Sequence, residues 1–307
     1  MLKYLIILLD DSSVPFCHYE GKRERKLISK EDLKKGVRFA MIENLNVQFV
    51  WPAYTLPQDY KDIISSIDHI NIAPVSLTPE ADIIVAEPKN YGLCPEGGTV
   101  VARISLSDIL EKPEILYPLL EKAARVNVVI TDPENFHDSD IEPYRNSLSI
   151  LSDKVLEEMK SGHDLQVNII TDRLVLTEMN NCNAGWESLT LAPDGNLYIC
   201  PAFYYAGEKP VGTIGQELDI KNPQLFRLDH APICRNCDAW HCRRCVWLNK
   251  RYTLEVNTPG HEQCVMTHLE REATRKLSEK IRILSDLFPV EKIDELDYMD
   301  PFEKLIK

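Results

Sequence analysis

The chain has 307 residues, of which 44% are hydrophobic and 27% charged, a balance typical of a soluble globular protein with a sizeable core. Its formal net charge of −13 disfavours a nucleic acid partner, because an acidic surface repels phosphate backbones. No segment approaches the roughly 20 consecutive apolar residues that span a bilayer, so no membrane association is expected.

The first apolar run covers residues 4–9 and stops at Asp10 and Asp11. It is short, and no small-residue cleavage site follows it, so it predicts a buried strand rather than a signal peptide. We therefore expect a cytoplasmic protein. The segment from Asp10 to Ser12 is interpreted as a turn cap, with cation or amine binding as the alternative.

The first half of the chain alternates short apolar runs with longer amphipathic ones, which is typical of an α/β protein with a mostly parallel sheet. The candidate strands are residues 4–9, 47–51, 69–73, 82–86, 100–104, 126–131 and 165–170. The candidate helices are residues 29–44, 107–125 and 140–160, the first with a capping-box-like start from Ser29 to Asp32. The pattern predicts an open or partial (β/α) barrel, and a doubly wound sheet is the alternative.

The pattern changes after about residue 175. Two apolar runs flank Asp194 and Gly195, and Asp-Gly between such runs predicts a β-hairpin. Apolar residues then recur at spacings of three and four over residues 264–287, which predicts a helix.

Cysteines dominate the last third of the chain. Seven of the nine are clustered there: Cys182, Cys200, Cys234, Cys237, Cys242, Cys245 and Cys264. Two CxxC pairs separated by four residues are typical of metal ligands, and cytosolic reductants disfavour disulfides. Cys94 is interpreted as an ordinary loop thiol and Cys17 as a weak catalytic candidate, since no oriented base is identifiable.

The metal itself is left open between iron–sulfur and zinc. A single zinc ion on the four central thiols would leave three cysteines unexplained, and the four-residue gap is short for a zinc ribbon. His241 and His261 are expected to donate hydrogen bonds near the thiols, with metal ligation as the alternative. Trp240 and Trp247 are expected to pack against the cysteine-bearing loops.

The spacing Cys182-x12-Gly195-x4-Cys200, followed by CxxC, two further cysteines and a trailing one, resembles the SPASM extension of radical S-adenosylmethionine peptide-modifying enzymes. The resemblance covers residues 182–264 and implies two auxiliary [4Fe-4S] clusters. It implies Cys182, Cys200 and Cys245 for the first cluster, and Cys234, Cys237, Cys242 and Cys264 for the second. The first cluster then has three protein thiolates, and its fourth ligand is unknown.

The sequence departs from that family because it has no CxxxCxxC, the motif that holds the cofactor-cleaving cluster. The segment that follows the first apolar run contains a single thiol, Cys17, which cannot hold such a cluster. We therefore expect that this chain does not cleave S-adenosylmethionine itself. It is similar to the CXXX-repeat peptide maturase family in residues 8–19 and 245–249. That resemblance implies an accessory, substrate-binding protein in the maturation of a ribosomally synthesised cysteine-repeat peptide, with a precursor peptide and a radical S-adenosylmethionine maturase, in a heterodimer, as partners.

The predicted architecture has three parts. Residues 1–175 form a degenerate partial (β/α) barrel of radical S-adenosylmethionine type, residues 176–264 a small SPASM-like α+β metal-cluster domain, and residues 265–307 a C-terminal helical segment. Two other functions remain open from the residues alone. One is a stand-alone redox or thiol enzyme that uses a cluster or Cys17, and the other is a zinc-stapled scaffold protein.

Overall fold

A computed structural model describes residues 2–21, 26–179, 181–284 and 292–294. Within these residues the fold is mixed α/β, with ten strands. They are β1 (Tyr4–Leu8), β2 (Asn46–Val50), β3 (His69–Pro74), β4 (Ile83–Ala86), β5 (Thr99–Ile104), β6 (Arg125–Ile130), β7 (Gln166–Val167), β8 (Ser188–Leu191), β9 (Asn196–Tyr198) and β10 (Gly212–Thr213).

The same residues contain nine α-helices. They are α1 (Lys30–Glu43), α2 (Gln58–Ile64), α3 (Leu106–Glu111), α4 (Tyr117–Leu120), α5 (Ile141–Lys160), α6 (Asp172–Val175), α7 (Pro201–Tyr205), α8 (Val246–Thr253) and α9 (His261–Leu284). No helix in this described part of the chain combines the length and apolarity needed to cross a bilayer. The last three residues of the predicted C-terminal helix, 285–287, lie outside the described residues.

The chain forms two compact units, each built from two stretches of sequence. The first unit comprises Met1–Val85 and Cys182–Ala231, and the second comprises Ala86–Asn181 and Pro232–Lys307. The predicted division at residues 175 and 264 stays a prediction.

The first unit is built on a sheet with the strand order β10-β9-β8-β1-β2-β3-β4. Strands β1 to β4 and the β1–β8 pair are parallel, whereas β8, β9 and β10 pair antiparallel. The predicted hairpin is confirmed, with Gly195 at φ +83° in its turn. Its first strand also extends the parallel sheet, because Tyr4 lies opposite Ser188.

Helix α1 shows how the sequence specifies this unit. Ser29 caps it as predicted, since its Oγ accepts a hydrogen bond of 3.0 Å from the backbone N–H of Asp32. The helix ends at Asn44, whose left-handed conformation allows its N–H to bond to the carbonyl of Ala40. Gly36 lies on the buried face, and a Cβ there would be 2.6 Å from Leu191 and 3.3 Å from Ile7.

We expect Gly36→Ala to lower the free energy of unfolding by about 1–2 kcal/mol. The added methyl group overpacks the core, and this destabilises the protein more than the higher helix propensity of alanine stabilises it. Urea denaturation of the full chain measures the change. Gly92→Ala is the matched control, since nothing lies within 4 Å of its Cβ position, and it should stay within about 0.5 kcal/mol of the parent. Equal effects of the two substitutions would contradict the close packing of α1 on the sheet.

The second unit has the parallel strands β5, β6 and β7 in that order. Helix α9 lies against α5, and the fully buried Tyr144 of α5 donates a 2.7 Å hydrogen bond to Glu270 of α9. One predicted helix is wrong in extent. Residues 107–125 break at Pro113, which has no N–H to donate and which starts a short 3₁₀ turn before α4.

Candidate metal centre

Four cysteines of the second unit form a group of interacting thiols: Cys234, Cys237, Cys242 and Cys264. Burial, reinforced by Cys242, Cys264 and Cys237, raises the pKa of Cys234 well above its ordinary value. Burial also raises the pKa of Cys242 to about 11 and that of Cys264 to about 12, with Cys237 adding to both shifts. Electrostatic interactions link every pair among the four, so these thiols lie near one another. The family resemblance assigns them to the second cluster, and that assignment stays a prediction.

Backbone N–H groups point at two of these sulfurs in the same way. The N–H of Ala239 lies 3.4 Å from Cys237 Sγ, and the N–H of Arg244 lies 3.4 Å from Cys242 Sγ. In each case the donor follows the cysteine by two residues. Thr267 of α9 adds a hydroxyl 3.8 Å from Cys242 Sγ. Such donors stabilise an anionic sulfur, so the local geometry suits thiolates.

The loop between the cysteines is held to the helices by one buried carboxylate. Asp238 follows Cys237 directly, and Arg271 of α9 donates to both of its oxygens, at 2.8 and 2.6 Å. Arg173 of α6 donates to the Asp238 carbonyl at 2.6 Å, and its guanidinium stacks on Trp240 at 3.7 Å. The bidentate pairing fixes the loop in position and orientation. Trp240 thus packs beside the cysteine loop as predicted.

We expect Asp238→Asn to destabilise the protein by about 3–5 kcal/mol, because it leaves the buried Arg271 without its compensating charge. Thermal or urea unfolding of the metal-free chain measures the loss. Asp153→Asn is the control within the same unit, since Asp153 pairs with Lys280 on the surface and such pairs contribute about 1 kcal/mol or less. A loss at Asp238 no larger than that of the control would contradict the anchoring role.

A second buried contact involves His241. Its Nε2 lies 3.3 Å from Glu270 Oε2, and the side chain is 2% exposed. Neither ring nitrogen makes a hydrogen bond within the described residues. His261, by contrast, is exposed and faces Asp138 at 4.0 Å. Sequence reasoning missed His268, whose Nε2 lies 3.7 Å from Cys237 Sγ.

The donor set fits a thiophilic metal, although its geometry is not that of a closed site. Among the described residues, no group of three or more His, Cys, Asp or Glu side chains is arranged to hold a metal ion. Four interacting thiols with hydrogen-bond donors aimed at two of them are nonetheless the chemistry that iron–sulfur clusters and zinc require. Which thiols ligate a metal stays a prediction.

The raised pKa values make the metal-free, reduced protein sensitive to alkali. Because folding favours the protonated thiols, their stabilisation is complete below the unfolded pKa, ordinarily 9.0, and is lost as pH rises through about 11 and 12. We expect the free energy of unfolding to fall from pH 9 upward, measured by urea denaturation at stepped pH. The variant with Cys242→Ser and Cys264→Ser should show a shallower fall between roughly pH 8.5 and 10, below the titration of tyrosine. The same slope in both proteins would exclude these thiols as its cause.

The thiols assigned to the first cluster lie in both units. Cys182 and Cys200 belong to the first unit, where they flank the hairpin of β8 and β9, and Cys200 immediately precedes α7. Cys182 is exposed and Cys200 half-buried. Cys245 belongs to the second unit and immediately precedes α8. Their common ligation of one cluster stays a prediction.

Polar contacts occupy the end of β1 in the first unit. Asp10 accepts a 2.8 Å hydrogen bond from the Ser12 N–H, as the predicted turn cap requires, and a 2.7 Å bond from the Tyr54 hydroxyl. The adjacent Asp11 is also buried and accepts a hydrogen bond from Tyr204. Both carboxylates are thus engaged within the protein. The tyrosines lie too far from them in sequence for any local pattern to have indicated the contacts.

Cys17 and Cys94 stand apart from the clustered thiols. Cys17 is half-buried in the loop that follows β1. Cys94 is buried in a turn-rich stretch, and burial raises its pKa, which disfavours the nucleophilic thiolate. These properties are consistent with the interpretation of Cys94 as an ordinary loop thiol, and Cys17 remains a weak catalytic candidate.

Comparison with known proteins gives a fold but no family. No family model and no curated protein matches the chain. Among solved structures, native anSMEcpe with bound AdoMet and the Cp18Cys peptide is similar over 92% of this chain and 100% of its own, with 13% identity and a TM-score of 0.61. Hexahistidine-tagged anSMEcpe with bound AdoMet is similar over 93% and 99%, with 12% identity and a TM-score of 0.60. The mixed α/β fold of this chain is therefore similar to that of these AdoMet-bound proteins.

Proposed function

We propose that this chain is an accessory, substrate-binding protein in the maturation of a ribosomally synthesised cysteine-repeat peptide. It holds two iron–sulfur clusters and acts with a radical S-adenosylmethionine maturase, with which it forms a heterodimer. The observation that carries the proposal is the contrast between two sites. Four interacting thiols lie together in the second unit, whereas the loop after β1 contains only Cys17.

The fold supports a peptide substrate. A protein of similar fold has been solved with AdoMet and a peptide bound, and the similarity extends over nearly the whole of both chains. Fold alone does not assign function, so the substrate class rests on this likeness together with the cysteine pattern. A cysteine-bearing peptide suits a protein whose own chemistry is that of sulfur and metal.

The loop after β1 supports an accessory role. A [4Fe-4S] cluster needs several thiolates, and the first 85 residues contain a single cysteine. The two carboxylates at the end of β1 already accept hydrogen bonds within the protein, Asp10 from Tyr54 and Asp11 from Tyr204. On this proposal the partner supplies the radical, and this chain binds and orients the peptide.

The thiols of the second unit would hold one of the proposed clusters. When bound, such a cluster supplies electron transfer or an iron that accepts a ligand. The chain's own contribution is to bury the sulfurs, to stabilise them with the N–H groups of Ala239 and Arg244, and to fix the loop through Asp238.

Three measurements on anaerobically purified protein test the proposal: metal content, binding of a cysteine-repeat peptide, and cleavage of S-adenosylmethionine. Iron, sulfide and zinc are counted per chain, and reductive cleavage of S-adenosylmethionine is assayed with and without a candidate partner enzyme. We expect iron and sulfide in the isolated chain, binding of a cysteine-repeat peptide, and no cleavage until the partner is added. Replacing Cys242 by Ser should lower the iron content, whereas replacing Cys94 by Ser should leave it unchanged.

The outcomes separate the alternatives. Cleavage by the isolated chain would disprove the accessory role. Zinc without iron or sulfide would favour the zinc-stapled scaffold. Product formation that needs Cys17 but no partner would favour a stand-alone thiol enzyme.

A further inference from the structure

Four tyrosines of the first unit form a continuous row of aromatic contacts. Their rings follow one another in the order Tyr19, Tyr205, Tyr204 and Tyr198, with 5.1, 5.2 and 5.1 Å between successive centroids. Each distance is within the range of direct contact between aromatic rings. We call these four residues the tyrosine row. Because an electron moves readily between rings in direct contact, the row is a route for electron transfer through the first unit.

Tyr204, inside the row, has a base as the partner of its hydroxyl. It donates a hydrogen bond to Oδ1 of Asp11, and both residues are 5% exposed. A carboxylate within hydrogen-bond reach of a hydroxyl is placed to take its proton. A phenol that loses an electron becomes a strong acid, so a base at this position makes the loss of the electron easier. Tyr204 is therefore a buried member of the row that is suited to oxidation.

Burial keeps the hydroxyls of the row protonated at neutral pH. It raises the pKa of Tyr204 well above its ordinary value, and the hydrogen bond to Asp11 adds to the shift. Burial also raises the pKa of Tyr205, with Asp11 and Asp10 adding to it. Because these groups remain neutral phenols, oxidation has to release a proton together with the electron. Asp11 is the acceptor already in place.

The row begins beside a thiol. Cys17 lies two residues before Tyr19, whose backbone N–H donates a 2.8 Å hydrogen bond to the Cys17 carbonyl. Both residues belong to the loop that follows β1. A thiyl radical becomes a thiolate when it gains one electron, and it needs no proton to do so. A thiyl radical on Cys17, or on a cysteine-bearing peptide that reaches this loop, is thus an oxidant that the row can reduce.

We propose that the tyrosine row is a redox relay that reduces thiyl radicals, with Tyr204 as the residue that is finally oxidised. One electron passes along the row to the sulfur, which becomes a thiolate. The O–H bond of Tyr204 breaks, its proton passes to Asp11, and a neutral tyrosyl radical remains on Tyr204. The choice of oxidant rests on the proposed function, in which a cysteine-repeat peptide is modified by radical chemistry. The relay goes beyond that function, because it is a redox activity of this chain's own tyrosines.

Pulse radiolysis of the full-length, metal-free chain tests the relay without the partner enzyme or the peptide. Thiyl radicals are generated anaerobically from N-acetylcysteine, and transient absorption follows the appearance of tyrosyl radical. A rapidly frozen sample is then studied by electron–nuclear double resonance. We expect a tyrosyl radical coupled to an exchangeable hydrogen, the proton shared with Asp11, and we expect this coupling to vanish in deuterium oxide. The absence of a tyrosyl radical, or of that coupling, would overturn the relay.

Matched variants assign the radical to a residue. Tyr204→Phe keeps the aromatic ring and removes the hydroxyl, so the exchangeable coupling should be lost. Asp11→Asn keeps a hydrogen-bond acceptor but removes the base, so most of the radical yield should be lost. Tyr60→Phe is the control within the same unit, because the Tyr60 hydroxyl donates to the carbonyl of Ile28 and its ring is not part of the row. It should change neither property.

The outcomes separate the relay from the proposed function. A coupling that persists in Tyr204→Phe places the radical on another tyrosine, such as Tyr198 with its partner Asp194, and overturns the proposal. A radical yield that Asp11→Asn leaves unchanged does the same. A chain that forms the expected radical but takes up no iron and binds no peptide overturns the proposed function and leaves the relay standing. Because the first measurement uses the unmodified chain, a variant that fails to fold does not prevent a decision.

Discussion

The cysteine site of the second unit is constrained by the free-energy cost of burying a negatively charged thiolate. Burial raises the pKa of Cys234, Cys242 and Cys264, and neighbouring thiols add to each shift. In this setting the sulfurs remain protonated unless a cation joins them. The protein provides only partial compensation, through the charge of Arg244 and the N–H groups directed at the sulfurs. A metal that displaces the protons resolves the conflict.

The sequence predicted most of the local structure, whereas the ligand set of a metal site was implied only by the family resemblance and stays a prediction. Most strands were recognised because buried parallel strands are continuous apolar runs, but the predicted strand 165–170 is only Gln166–Val167 in the structure. Helix α1 was recognised because Ser29 caps it as a capping residue should. CxxC spacing placed Cys234 with Cys237, and the family resemblance added Cys242 and Cys264. The extent of helix 107–125 was overestimated, since the apolar pattern was followed across Pro113.

Long-range polar contacts could not be predicted in the same way. Asp238 and Arg271 are 33 residues apart, and Asp11 and Tyr204 are 193 apart, so no spacing rule joins them. One signal was present in the sequence of α9. Thr267, Glu270, Arg271 and Thr274 recur at spacings of three, one and three, and all are buried. A polar stripe with helical periodicity indicates a helix that packs against polar groups.

Helix α9 carries both a thiol of the group and the side chains that hold the cysteine loop. Cys264 lies in its first turn, and Thr267, Glu270 and Arg271 follow in the next two. During synthesis the loop leaves the ribosome before this helix does. Until residue 271 has emerged, the loop has neither its anchor nor its fourth sulfur. The group of four thiols is therefore complete only late in synthesis, and a chain truncated before α9 would emerge with its remaining thiols open to cellular oxidants.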